Sequence, residues 1–145
     1  MKEIKGNLWD YLRPMFLLGI TTNGTVKTNG ACVMGRGCAF EASQRYPEVP
    51  KILGQHIREH GNVCWASREL PLFFFPVKHN WYEMADLELI RRSAEELAEI
   101  ARHPAKPIYT FVLPRPGCGN GRLRWEDVRG VIAPILPDNV WVISF

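Results

Sequence analysis

Leu113-Pro-Arg-Pro-Gly-Cys-Gly-Asn-Gly-Arg-Leu-Arg-Trp-Glu-Asp-Val128 is a strand that runs into three alternating glycines and leaves as an amphipathic helix. Gly117, Gly119 and Gly121 can take backbone angles closed to other residues. Successive N–H groups can then converge on a phosphate near a helix N-terminus without side-chain obstruction. Upstream, Val33-Met-Gly-Arg-Gly-Cys-Ala39 repeats the device, with Gly35 and Gly37 leading into a predicted helix. Two such cradles suit the two phosphates of a diphosphate.

The segments around these loops alternate between strand and helix. Lys2 to Lys5 reads as a short edge strand and Met15 to Thr22 as a buried one. Thr22-Asn-Gly-Thr-Val-Lys-Thr-Asn-Gly30 holds two Asn-Gly pairs and predicts a short hairpin or a structured loop. Helices are expected from Cys38 to Tyr46 and, after Pro47 and Pro50, from Lys51 to His60. Asn62 to Arg68 and Leu72 to Val77 predict adjacent antiparallel strands. Between Ala85 and Arg102, Leu87, Ile90, Ala94, Leu97 and Ala101 recur at helical steps, with Pro104 and Pro107 ending the helix. A strand from Ile108 to Leu113, a helix from Trp125 to Leu136 that Pro134 kinks or ends early, and a strand from Val140 to Phe145 complete the order. Such alternation implies an α/β fold with a mixed sheet covered on both faces and ligand loops at the carboxyl ends of its strands.

With 145 residues, 46% of them hydrophobic and 23% charged, one domain over residues 1–145 is expected, without low-complexity tracts or repeats. The longest apolar runs are strand-sized and Met1-Lys-Glu-Ile-Lys-Gly lacks a signal-peptide core, so a cytoplasmic protein with no membrane partner is expected. The net charge of +3 is dispersed, which permits a phosphate-rich ligand without requiring one. Cys32, Cys38, Cys64 and Cys118 lack zinc-ligand spacing, so no metal site is expected. Cys118 is either a compact loop residue or a thiol activated by nearby N–H groups.

For chemistry, Gly121 is followed by Arg122 and Leu123 where a Walker A loop needs Lys and Ser or Thr. A dinucleotide fold would carry its glycine loop in the first strand-turn-helix unit, not near the C-terminus. These points argue against nucleotide hydrolysis and NAD-dependent hydride transfer. Phe73-Phe-Phe-Pro-Val-Lys-His-Asn-Trp-Tyr82 sets Lys78 directly after an apolar strand, where desolvation lowers an amine's pKa and frees it for nucleophilic attack. The competing reading is a solvated lysine at a strand end. His79 is an acid–base helper or a loop histidine held by a backbone bond, and Trp81, Tyr82 and Trp125 either stack on a sugar or base or cap the core. His56, His60 and His103 form no ligand pattern.

Together these motifs resemble a macro domain, in the branch of terminal ADP-ribose glycohydrolase and the DarG-type antitoxin that removes ADP-ribose from DNA. The resemblance spans nearly the whole chain and rests on Val33 to Ala39, Phe75-Pro-Val-Lys-His-Asn-Trp81 and Pro116 to Val128, in the family's order. It implies a three-layer α/β/α macro domain with a mixed central sheet. The diphosphate of ADP-ribose would lie between Met34, Gly35, Arg36, Gly37 and Cys38 on one side and Pro116, Gly117, Cys118, Gly119, Asn120 and Gly121 on the other. Asn7 and Leu8 resemble the turn that meets adenine, with Asn7 where many relatives carry Asp. Asn29, or Asn23 in its place, corresponds to an Asn near the distal ribose. Trp125 follows the second cradle as a further ligand contact, and Lys78 falls on the lysine that attacks the anomeric carbon.

The terminal ADP-ribose glycohydrolase carries a catalytic Asp where this chain has Gly121, and the DarG pattern also lacks it. Release would then draw on Lys78, water and Glu126, Asp127 or substrate groups. The resemblance implies an ADP-ribosyl glycohydrolase acting on a DNA nucleobase, monomeric, without cofactor. ADP-ribose or an ADP-ribosylated macromolecule, single-stranded DNA included, is the partner, with Arg36, Arg115, Arg122 and Arg124 available to DNA phosphates. A non-catalytic ADP-ribose-binding module and processing of ADP-ribose 1″-phosphate are the alternatives.

Overall fold

The apolar segments pair into one sheet whose two faces are both buried. The computed structural model describes residues 1–103 and 108–145. The strands are β1 (Lys2–Lys5), β2 (Phe16–Asn23), β3 (Trp65–Ala66), β4 (Leu72–Lys78), β5 (Thr110–Pro114) and β6 (Val140–Ser144). The helices are α1 (Gly37–Arg45), α2 (Val49–His60), α3 (Leu87–Arg102) and α4 (Trp125–Ile132), with a 3-10 turn at Leu8–Tyr11. Strand order is β1-β6-β5-β2-β4-β3. The neighbouring pairs run parallel except β3 with β4, so the sheet is mixed.

Parallel strands need cover on both sides, and β4 shows how the sequence supplies it. Phe73, Phe75 and Val77 point to one face, against Ile90, Ala94 and Leu97 of α3 and Val128 and Ile132 of α4. Leu72 and Phe74 point to the other, against Ala42 of α1 and Val49 and Leu53 of α2. Phe73, Phe74 and Phe75 are fully buried, which is why this stretch reads as an unbroken apolar run. The result is the α/β/α layering that the sequence implies.

Several boundaries differ from expectation for local reasons. The helix expected from Lys51 begins at Val49, because Pro50 sits in its first turn, where no N–H is needed. The strand expected over Asn62 to Arg68 shrinks to Trp65–Ala66. Its ends are spent elsewhere: Asn62 Nδ2 donates to Lys78 O at 3.0 Å, and Ser67 Oγ accepts from Leu70 N at 3.1 Å. The α4 helix stops at Ile132, short of Leu136, which is the early end that Pro134 implies. The Thr22 to Gly30 excursion folds as a structured loop, with one antiparallel bridge from Val26 to Cys32 and a turn closed by Gly30 N to Lys27 O at 2.9 Å. Pro104 and Pro107, expected to end α3, lie outside the described residues. Among the described residues no helix is long and apolar enough to cross a membrane, and no group of three or more metal-ligating side chains occurs.

Candidate functional site

A cavity of about 870 Å³ opens where β2, β4, β5 and β6 end, and both glycine loops line it. On one side α1 starts at Gly37 with Arg36 as an N-cap that gives no side-chain bond and with no acidic residue in the first turn. The unsatisfied N–H groups of that turn belong to Gly37, Cys38 and Ala39, all of which line the cavity. On the other side, the N–H groups of Gly119, Asn120 and Gly121 find no backbone acceptor among the described residues. The loops meet: a Cβ built on Gly37 would lie 3.2 Å from Asn120 Nδ2. Unpaired backbone N–H groups of this kind have the chemistry that suits an anion.

The glycines do different work. Gly37 and Gly117 hold positive φ of 59° and 77°, where L side chains are strained. Gly121 is needed for space instead, since a Cβ there would sit 2.5 Å from Gly117 O and 2.8 Å from Ala85 Cβ. At Gly35 and Gly119 a Cβ would meet nothing within 4 Å, so these two leave bare backbone facing open room. The helix N-terminus at the cavity is that of α1. The α4 start, which the sequence offers for the second loop, lies four residues beyond Gly121 and carries Glu126 and Asp127 in its first turn, unsuited to an anion.

Lys78 is the last residue of β4 and lines the cavity. Its backbone is pinned by Asn62 Nδ2 on its carbonyl, while Gly24 N donates to His79 O at 3.1 Å and Asp86 N to Val77 O at 2.9 Å. Its ammonium donates to Trp81 O at 3.4 Å. Partial burial lowers the amine's pKa, and the positive charges of Arg36 and Arg122 lower it further. An irregularity after Thr22 in the β2–β4 ladder makes Asn23 the register partner of Lys78. Asn23 Oδ1 accepts from Thr25 N at 3.0 Å and its Nδ2 donates to Val33 O at 2.9 Å, which ties the first glycine loop to the strand that carries the lysine.

Of the other expected site residues, Asn7, Leu8, Met34, Gly35, Arg36, Gly37, Cys38, Gly117, Cys118, Gly119, Asn120 and Gly121 line the cavity. Asn29, Pro116 and Trp125 do not. Asn29 is exposed and its Oδ1 closes a turn onto Ala31 N at 3.0 Å, so Asn23 is the asparagine beside Lys78. Pro116 is buried beneath the second loop. Trp125 packs on the α3–α4 core, lies under Arg115 at 4.7 Å and donates from Nε1 to Glu3 Oε1 at 3.3 Å, which makes it a cap of the core.

Arg122 and Arg124 also stay off the cavity wall, as do Glu126 and Asp127. His79 bonds Asp86 Oδ2 at 2.7 Å and serves the loop, off the wall as well. Cys118 is no activated thiol: burial raises its pKa, as it does for Cys38. Trp81 lines the mouth, 51% exposed, and so does not cap the core.

The sequence reading missed Trp9, Thr21, Thr25, Lys27 and Glu41. All line the cavity, and Glu41 is its sole carboxylate side chain among the described residues, against the cations Lys27, Arg36, Lys78 and Arg115. The available signal was the polar run Thr21-Thr-Asn23 after five apolar or small residues, which marks a strand's carboxyl end. Trp9 and Glu41 carried none.

No family model matches the chain. It is 29% identical to the DNA ADP-ribosyl glycohydrolase of Mycobacterium bovis (strain BCG / Pasteur 1173P2) over an alignment that covers 77% of this chain and 34%, about a third, of that protein. It is 28% identical over 106 residues to the ADP-ribose glycohydrolase OARD1 of Bos taurus, covering 72% of this chain and 67% of that one. The solved macrodomain of Thermus aquaticus DarG superposes with a TM-score of 0.78 at 24% identity, covering 99% of this chain and 97% of the other. Superposing over nearly its whole length, the chain has the macrodomain fold and resembles the macrodomains of DarG.

Proposed function

We propose that the chain is an ADP-ribosyl glycohydrolase that removes ADP-ribose from a nucleobase of single-stranded DNA, with Lys78 as nucleophile. The observation that carries this reading is the amine of Lys78, partly desolvated beside Arg36 and Arg122, in a cavity whose two N–H-rich loops suit a diphosphate. The names of the relatives, glycohydrolases acting on ADP-ribosylated DNA and on ADP-ribose, support the reaction class.

The diphosphate docks across the loop N–H groups and the α1 N-terminus, and this remote binding energy holds the distal ribose against the amine. Asn7 Oδ1 is committed to Trp9 N at 3.0 Å, so adenine meets the Asn7 amide NH₂, which suits a ring nitrogen. The neutral amine of Lys78 attacks the anomeric carbon as the bond to the nucleobase breaks. The proton shed by the attacking nitrogen balances the one that the departing base takes up. Ring opening gives an imine, and water returns the free amine and ADP-ribose. This route needs no carboxylate at Gly121.

The test is turnover on ADP-ribosylated single-stranded DNA, ADP-ribosylated protein and ADP-ribose 1″-phosphate side by side. Release from DNA is expected, and Lys78→Ala is expected to lower it about 10³-fold or more while keeping affinity for ADP-ribose. Tight binding with no release from any substrate would make the chain a binding module. Release from protein or from the phosphate alone would replace DNA as the substrate.

A further inference from the structure

We propose that Trp81 and Tyr82 form a stacking platform at the cavity mouth for a nucleobase adjacent to the modified one, an inference that rests on the DNA reading above. Trp81, Tyr82 and Met84 are 51%, 69% and 53% exposed. Single exposed apolar side chains are ordinary, but here Trp81 lines the cavity and the exposed Tyr82 ring packs directly against it. The two rings stand edge to face, 5.8 Å apart at 88°, so their contact occupies one face of one ring and leaves the remaining faces open.

The platform is fixed to the reacting end of the site. Trp81 N donates to Thr25 Oγ1 at 3.1 Å, and Trp81 O accepts from the ammonium of Lys78. A base resting there would bring the strand's next nucleotide alongside the one whose sugar bond faces Lys78. Charge favours the same occupant: Lys27, Arg36, Lys78 and Arg115 line the cavity, and Glu41 is the sole acidic side chain on its wall among the described residues. The platform loop's own acids are engaged, Glu83 with Asn80 Nδ2 at 2.9 Å and Asp86 with His79. Exposed ring faces beside cations are the chemistry of single-stranded nucleic acid, whose every base offers a π-face and every link a phosphate. An acidic peptide would satisfy the cations but leave the rings without a partner.

The experiment compares two ADP-ribosylated oligonucleotides, one with intact neighbours and one with abasic sites flanking the modified base. Each is read as kcat/KM for release and as equilibrium affinity, with free ADP-ribose as the control. The wild-type chain is expected to prefer intact neighbours by about 5- to 100-fold. Tyr82→Ala, at a residue off the cavity wall, is expected to erase that preference, and Tyr82→Phe to restore it. Trp81→Phe, which keeps a ring, is expected to retain most of it. A Tyr82→Ala chain that still prefers intact neighbours would overturn the proposal, as would equal losses toward the oligonucleotide and free ADP-ribose. A larger loss toward an ADP-ribosylated peptide than toward the oligonucleotide would overturn it in favour of a protein partner. Because affinity is read as well as release, failure of turnover and failure of the platform are seen separately.

Discussion

Arg36 lowers the pKa of Lys78, so its removal has a sign that can be checked. A like charge disfavours the ammonium, and Arg36→Gln relieves that repulsion and moves the amine's pKa up. The rate rises with pH as the amine loses its proton, so the rising limb of kcat/KM in Arg36→Gln is expected at higher pH than in the wild type. An unmoved or downshifted limb would separate Lys78 from the rate. At this scale the sequence was informative where chain neighbours decide the environment. Lys78 follows Phe73-Phe-Phe-Pro-Val77, and burial of that strand dictates desolvation at its end. It was uninformative where a ladder irregularity decides: only the β2–β4 register shows that Asn23, not Asn29, stands beside the lysine. Trp125 misled because proximity to a glycine loop in sequence says nothing of which side of the strand a ring falls on, and Glu3 and Arg115 hold it to the core side.

Among the helices at the site, α3 has a side-chain cap. Asp86 caps α3 through Glu88 N at 2.9 Å and grips His79 at 2.7 Å, and the His79 bond, followed by the capping bond, holds its carboxyl below the ordinary range. Asp86→Ala is expected to cost about 1 kcal/mol, the usual worth of an N-cap. With a depressed folded pKa, that contribution is present above the unfolded carboxylate pKa and lost as pH falls through the folded one. Melting curves of the two chains are therefore expected to differ at neutral pH and to converge in acid. A constant gap would assign the loss to packing. In the second loop, Gly121→Ala drives a Cβ onto Gly117 O, so loss of ADP-ribose affinity is expected, seen by calorimetry, while Gly119→Ala, with open space around it, keeps the fold and crowds the ligand alone. Helix and strand identity was legible from period, as in α3. Ends were less so: Pro50 falls inside a first turn, Ser67 spends its hydroxyl on a local turn, and Asn62 acts through Lys78, distant in sequence.

At the scale of the molecule, the order of strands and helices was enough to imply a mixed sheet with loops gathered at its carboxyl ends, and the order β1-β6-β5-β2-β4-β3 puts them there. What no local pattern contained was the crossing that brings Gly37 within reach of Asn120. A ligand bridging those loops ties α1 to the β5–α4 connection. At 100 times its Kd, ADP-ribose is expected to stabilise the fold by about 2.7 kcal/mol. For a chain of this length that raises Tm by about 5 to 10 °C, and adenosine at the same concentration, lacking the diphosphate, is expected to do far less. Equal shifts from both would deny the loops their role. The most direct test of the account is reductive trapping: the wild-type chain is turned over on ADP-ribosylated single-stranded DNA with borohydride present, then mapped by peptide mass spectrometry. One reduced ADP-ribose adduct is expected on Lys78, absent from Lys78→Ala. Full turnover with no adduct, or with the adduct on another residue, would contradict it.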